Sequence, residues 1–144
     1  ADAMPDVPVS LSSEVSPELR EYERSSTTVL NALLMPVVRA YLDRLRSRLG
    51  EGGFDPAVFL VQSNGGVCGP AVAAEQPARL LLSGPSGGTL AAARIAGLLG
   101  RPNLVAVDMG GTSFDVSVVQ DGRVSVVTQG EVDRLPVRLP MVEM

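Results

Sequence analysis

The residues with the clearest chemical potential lie in Asp108-Met-Gly-Gly-Thr-Ser-Phe-Asp115, where two carboxylates bracket two glycines and two hydroxyls. Gly110 and Gly111 lack Cβ atoms, so a bulky anion can approach the backbone closely. Successive N–H groups in such a turn can converge on phosphate oxygens. The hydroxyls of Thr112 and Ser113 add donors. Asp108 and Asp115 could hold Mg²⁺ between them, directly or through water. The same pattern also suits an ordinary tight hairpin, with glycines where φ must be positive and carboxylates acting as turn acceptors. A short Gly-rich motif does not by itself separate the two.

Two further glycine-bearing stretches invite the same question. Ser83-Gly-Pro-Ser-Gly-Gly88 reads as a Gly-rich turn opening a helix, and a helix N-terminus attracts anions. Gly84, Gly87 and Gly88 are its candidate nucleotide contacts. The spacing is not a Walker A motif and holds no lysine. Close packing of a helix start on a sheet explains the glycines equally. Ser63-Asn-Gly-Gly66 follows an apolar run, and ligands of open α/β sheets gather outside the carboxyl ends of strands. Ser63, Asn64 and Gly65 are therefore candidate substrate contacts, although Asn-Gly is also a strong turn pair.

The elements that must position these residues follow from periodicity. The apolar run before Asp108, the alternating run after Ser113 and residues 123–129 read as three strands, with Asp121-Gly122 closing a hairpin. Ser16-Pro-Glu18 reads as a helix start, with Ser16 as N-cap and Pro17 at the first helical position. That helix is charged to Arg24, and Glu14, Arg20, Glu21, Glu23 and Arg24 read as a solvated face. The hydroxyl run 25–28 is expected to interrupt it. A longer helix is expected over 29–49, with Leu30, Leu33 or Leu34, Val37, Tyr41 and Leu45 as its apolar stripe. Pro36 is a possible kink.

Residues 58–62 read as a buried strand, suited to a parallel sheet, and 63–70 as a loop. A helical turn is expected over 71–75, then a small-residue helix over 87–99 with Ala91, Ile95 and Leu98 as its stripe. Residues 131–135 read as a loop and 137–142 as a last strand. Residues 1–11 read as an extended lead. Arg138 is expected at the surface and Cys68 to be incidental. Periodicity supports an α/β open sheet.

Composition narrows the function. The chain has 144 residues, 45% of them hydrophobic and 3% aromatic, with no Trp. This is enough for one domain, cored by Val, Leu and Ala. Net charge is −4, from twelve basic and sixteen acidic residues. No basic stripe stands out, so nucleic acid is not an expected partner. There is one cysteine and no histidine. A disulfide within the chain, a Ser-His-Asp triad and a His-ligated metal are thereby excluded. No stretch resembles a membrane helix or a signal peptide, and the cytoplasm is the default location.

Asp108-Met-Gly-Gly-Thr-Ser-Phe-Asp115 resembles a phosphate loop of the actin, sugar kinase and Hsp70-type ATPase superfamily. Three more pieces narrow the resemblance: Ser13-Glu-Val-Ser-Pro-Glu-Leu-Arg-Glu-Tyr-Glu-Arg-Ser-Ser-Thr-Thr28, Gln62-Ser-Asn-Gly-Gly66 and Ser83-Gly-Pro-Ser-Gly-Gly88. With them, in this order, the chain is similar to the hydantoinase A, oxoprolinase and acetone carboxylase ATP-binding subunit family, over nearly its whole length. The resemblance implies part of an actin-like ATPase, RNase H-like domain, with a glycine-turn β-hairpin and flanking helices. It implies one partial domain over 1–144, helical over 1–53 and α/β with the phosphate loop over 54–144. That domain would be an internal piece of a longer subunit.

The resemblance also implies an activity. ATP and Mg²⁺ would serve the opening of a cyclic amide, a hydantoin or 5-oxoproline, through phosphorylation of a carbonyl oxygen. Gly110, Gly111, Thr112 and Ser113 would hold phosphate oxygens. Asp108 would act on the metal or the attacking water, with Asp115 as a second metal contact. The remainder of the subunit and a hydantoinase B-type second subunit or domain would complete the enzyme. The alternatives are the ATP-binding subunit of an acetone- or acetophenone-type carboxylase, acting on a ketone, and a non-catalytic nucleotide-binding or structural module. A sugar kinase would share the loop but not the text at 13–28.

Overall fold

A computed structural model describes residues 7–144. Most of the expected lead, residues 1–6, lies outside the described residues. The first element is a single helical turn, α1 (Ser12–Val15), which buries Val15. Helix α2 (Glu21–Glu51) then runs unbroken. This corrects the expected break at 25–28. The hydroxyls of Thr27 and Thr28 donate to the carbonyls of Glu23 and Arg24, both at 2.7 Å. A threonine that bonds back one turn is accommodated within a helix. The expected start also moves. Ser16 does not cap the helix but donates its hydroxyl to the Arg138 carbonyl at 3.1 Å, and Arg20, at φ 80, precedes the first turn. Pro36 stays inside the helix.

The buried line of α2 is Thr27, Asn31, Met35 and Leu42; of the expected apolar stripe, Leu30, Leu34 and Leu45 are half-buried beside it. Leu33, Val37 and Tyr41 face outward. Periodicity counts apolar residues only, whereas here two polar side chains are inside because neighbouring elements supply their partners. Asn31 Nδ2 donates to Ser10 Oγ and to the Glu75 carbonyl, both at 3.0 Å, and its Oδ1 accepts from the Ala78 N–H at 3.1 Å.

The expected parallel strand at 58–62 is instead a two-residue arm, β1 (Leu60–Val61), paired antiparallel with β2 (Val67–Cys68). The intervening turn reverses the chain. Gly65 sits at φ +83, and Asn64 Oδ1 accepts from the Gly66 N–H at 2.8 Å. Helix α3 (Pro70–Glu75) and a 3-10 turn (Pro77–Leu80) follow. Helix α4 (Ser83–Leu98) begins earlier than expected, so the serine-glycine text forms its first turns, with no strand before it. Its buried residues are Ser86, Thr89 and Ala96. Ala91, Ile95 and Leu98, the expected stripe, face outward.

Strands β3 (Leu104–Met109), β4 (Phe114–Gln120) and β5 (Arg123–Val124) form an antiparallel sheet in that order. The Asp121-Gly122 turn has the expected positive φ, 51 and 72. The chain then departs from the expected third strand. β6 (Val126–Val127) leaves that sheet and pairs with β9 (Met141–Val142). Between them, β7 (Gly130–Val132) and β8 (Leu135–Val137) make a hairpin where a loop was expected. Asp133 and Arg134, at φ 50 and 65, supply its two-residue turn. A small core of Ala78, Val137 and Leu139, flanked by Leu30, Leu81 and Val132, lies between α2, the 3-10 turn and β8. The architecture is mixed α/β.

Candidate functional site

The β3–β4 ladder sorts its side chains by register. Leu104 pairs with Val119, Ala106 with Ser117 and Asp108 with Asp115. Alternation puts these six on one face. That face meets α4, where Thr89 Oγ1 and Ser117 Oγ hydrogen-bond at 2.9 Å. The two carboxylates are directly opposite each other, so their Cβ atoms are about 5 Å apart. A cavity of ≈ 200 Å³ opens there, lined among others by Gly88 and Thr89 of α4 and by Asp108, Asp115 and Ser117.

The turn beyond the carboxylates is closed by the Gly110 N–H donating to the Ser113 carbonyl at 3.0 Å. Neither Gly110 nor Gly111 has positive φ. Their presence is therefore not explained by a left-handed backbone. A Cβ at Gly111 would meet nothing within 4 Å. All four residues, Gly110 to Ser113, are exposed; the Gly110 N–H is spent in closing the turn, which leaves the N–H groups of Gly111 to Ser113 and the two hydroxyls facing solvent. Asp108 is also exposed and Asp115 is half-buried.

The donor set fits Mg²⁺. That ion is usually held by one or two carboxylates, with waters and phosphate oxygens completing the octahedron. Among the described residues no group of three or more acidic or cysteine side chains is gathered to cage an ion alone. A pair of carboxylates beside an open glycine turn suits a metal that arrives with a phosphate.

The other candidates divide. Gly88 lines the cavity. Gly84 is open to solvent, and Gly87 faces Val61 of β1, 4.0 Å from where its Cβ would be. Ser63 is buried, and its hydroxyl contacts the carbonyls of Arg79 and Leu81. Its own carbonyl accepts from Ser86 Oγ at 3.0 Å and from the Val142 N–H at 2.8 Å. The chemistry of Ser63 is consumed in joining β1, α4 and β9. Asn64 is exposed, with its Oδ1 engaged in the turn. A Cβ at Gly65 would be 2.7 Å from Leu90 Cδ1, so that glycine also serves close packing.

Arg138, expected at the surface, has a side chain only 15% exposed and pairs with Glu18. Its N–H donates to Thr27 Oγ1 at 2.9 Å. Sequence reasoning missed Thr89 and Ser117 of the cavity. Ser117 was within reach, because it stands two residues from Asp115 on the same face of a strand. Thr89 carried no such signal, since only tertiary packing brings α4 to the sheet.

Comparison with known proteins adds the context of the site. A family model described as Hydantoinase/oxoprolinase matches residues 24–144. The caprolactamase alpha subunit of Pseudomonas jessenii is 37% identical over 142 residues, which are 99% of this chain and 20% of that protein. The acetone carboxylase beta subunit of Xanthobacter autotrophicus is 30% identical, over 96% of this chain and 19% of its own length. The 5-oxoprolinase of Saccharomyces cerevisiae is 32% identical, over 94% of this chain and 10% of its own length. A nucleotide-free acetone carboxylase structure, from work on ATP-dependent acetone carboxylation, superposes with a TM-score of 0.80 at 30% identity. The match covers 92% of this chain and 18% of that one. The chain thus spans a fifth or less of these relatives.

Proposed function

The chain belongs to the hydantoinase/oxoprolinase family, and from that premise we propose that it is an internal piece of an ATP-binding subunit that opens cyclic amides. The domain would be one part of an actin-like ATPase, helical over 1–53 and α/β over 54–144. The observation that carries this proposal is the shared face of Asp108 and Asp115 at the cavity beneath the glycine turn. Exposed N–H groups in a turn and a carboxylate pair suit a phosphate with its metal.

In the proposed chemistry the amide oxygen attacks the γ-phosphorus of ATP and ADP departs. Water then adds to the activated carbon and the ring C–N bond breaks, the nitrogen leaving as an amine and the carbon becoming an acyl phosphate. A second water hydrolyses that acyl phosphate to the free acid and phosphate. Unactivated cyclic amides react slowly, and phosphorylation makes the oxygen a leaving group. The protein contributes positioning and charge stabilisation more than covalent chemistry. Gly110, Gly111, Thr112 and Ser113 hold phosphate oxygens, and Gly88 allows the nucleotide close to α4. Asp108 and Asp115 would hold Mg²⁺, which neutralises developing phosphate charge. Asp108, at the open end of the pair, orients the metal or the attacking water. Asn64 is the remaining substrate contact from its loop.

Relatives described as subunits of caprolactamase and acetone carboxylase support a second subunit as partner. The acetone carboxylase superposition also favours a second reading, in which the activated oxygen is that of a ketone enol. The test is thermal unfolding of the chain with and without Mg·ATP, beside Asp108→Ala. The expected result is a concentration-dependent rise in Tm that the variant lacks, because a ligand that binds only the folded state stabilises it. A folded chain with no shift would overturn phosphate binding by this turn.

A further inference from the structure

Among the described residues, no layer covers the other face of the β3–β4 ladder. Val105 pairs with Val118, Val107 with Val116 and Met109 with Phe114, six apolar side chains side by side. Met109 is 76% exposed and Phe114 61%. β3 is also an edge strand, with β4 on one side only among the described residues. A contiguous apolar face of this kind marks an interaction surface, and an unpaired edge beside it is a second liability in water. On the far side of the same two layers, Ile95 and Leu98 of α4 are exposed. Val29, Leu33, Val37 and Tyr41 form a third outward stripe, at four-residue spacing on α2.

The distribution of these surfaces selects the occupant. A second copy related by a two-fold axis covers one self-complementary patch. It would leave the opposite side of the α4–sheet sandwich bare. Surfaces on both sides of a two-layer unit require an enclosing body, and the relatives have it: about four-fifths of the caprolactamase subunit lies outside the matched region.

We propose that the outer face of β3–β4 is an internal interface, covered by an apolar segment of the same polypeptide from outside residues 1–144. The inference rests on the reading of this chain as part of a longer subunit, and it needs no nucleotide. The covering segment presents apolar side chains to Val107 and Val116 and holds the hairpin whose tip carries Gly110 to Ser113. The phosphate turn is thereby tied to a packed layer instead of a free ribbon.

The test is thiol labelling in a Cys68→Ser background, with Val107→Cys and Val118→Cys as probes and Arg101→Cys as an exposed control. It compares the 144-residue chain, the natural full-length polypeptide alone, and that polypeptide with its co-purifying subunit. The expected result is rapid labelling of both probes in the short chain and at least about tenfold slower labelling in the full-length polypeptide alone, the control being unchanged. Protection that appears only with the second subunit would assign the face to that subunit and overturn the proposal. Concentration-dependent protection in the short chain would assign it to a second copy, and equal labelling throughout would leave the face uncovered; both overturn it. The mass of the natural polypeptide separately tests the longer-subunit reading, and Mg·ATP binding separately tests the phosphate site.

Discussion

Two regions of this molecule are built on opposite plans. Around the start of α2, buried polar side chains are satisfied within the chain. Asn31 joins Ser10, Glu75 and Ala78, and Thr27 joins Glu23 and Arg138. The β3–β4 hairpin has one covered face and one bare one, and its tip offers unspent donors. Buried polar networks fix a unique arrangement, because each lost partner leaves a desolvated group behind. The hairpin relies on a backbone ladder and on Ser117 and Val119 against α4. The first region holds its own shape, while the second holds groups available to something else.

The comparison is broken most directly at Asn31. Replacing it with Ala leaves the buried Ala78 N–H without an acceptor and removes the bonds to Glu75 and Ser10, and urea unfolding should show a loss of about 3 kcal/mol. A loss no larger than that of a surface substitution would mean water replaces the amide and the network does not define the region. Gly65→Ala comes next, with an expected loss of about 2 kcal/mol, because a left-handed backbone and the Leu90 contact both oppose a Cβ. Thr27→Val should cost about 1.5 kcal/mol by removing both hydrogen bonds at constant shape.

At the hairpin the expectation reverses. Asp108→Asn and Gly111→Ala should change stability by about 0.5 kcal/mol or less, since both positions are exposed and unstrained. The first should abolish any Mg·ATP-dependent rise in Tm and the second should weaken it. A large stability loss from either would make the turn structural and erase the contrast. Val116→Thr should be smallest of all in the 144-residue chain, near zero in urea unfolding, because its side chain already faces solvent.

How much of this was legible in the sequence differs by element. The apolar run before Asp108 and the alternating run after Ser113 made the β3–β4 strands legible, while the register that puts Asp108 opposite Asp115 came from the structure. Asp121-Gly122 announced its turn through the demand for positive φ. Helix α2 was legible as helix but not in its extent, since propensity penalises Thr27 and Thr28 without knowing that their hydroxyls bond back to the helix. Its buried face was misread for a related reason. Asn31 counts as polar until Glu75 and Ala78, distant in sequence, are brought beside it. The outward Ala91, Ile95 and Leu98 stripe failed because periodicity finds an apolar face without saying which neighbour, or whether any, covers it.

The sequence by itself determined the family, through four motifs in order, and the bracketing of a glycine turn by two carboxylates. Both are encoded in residues close along the chain, where backbone geometry leaves few alternatives. Tertiary structure decided that Ser63 is a buried joint, that Gly88 and Thr89 share a cavity with Asp108 and Asp115, and which apolar faces are left bare among the described residues. Those outcomes depend on which elements approach one another, and that is set by the packing of the whole chain.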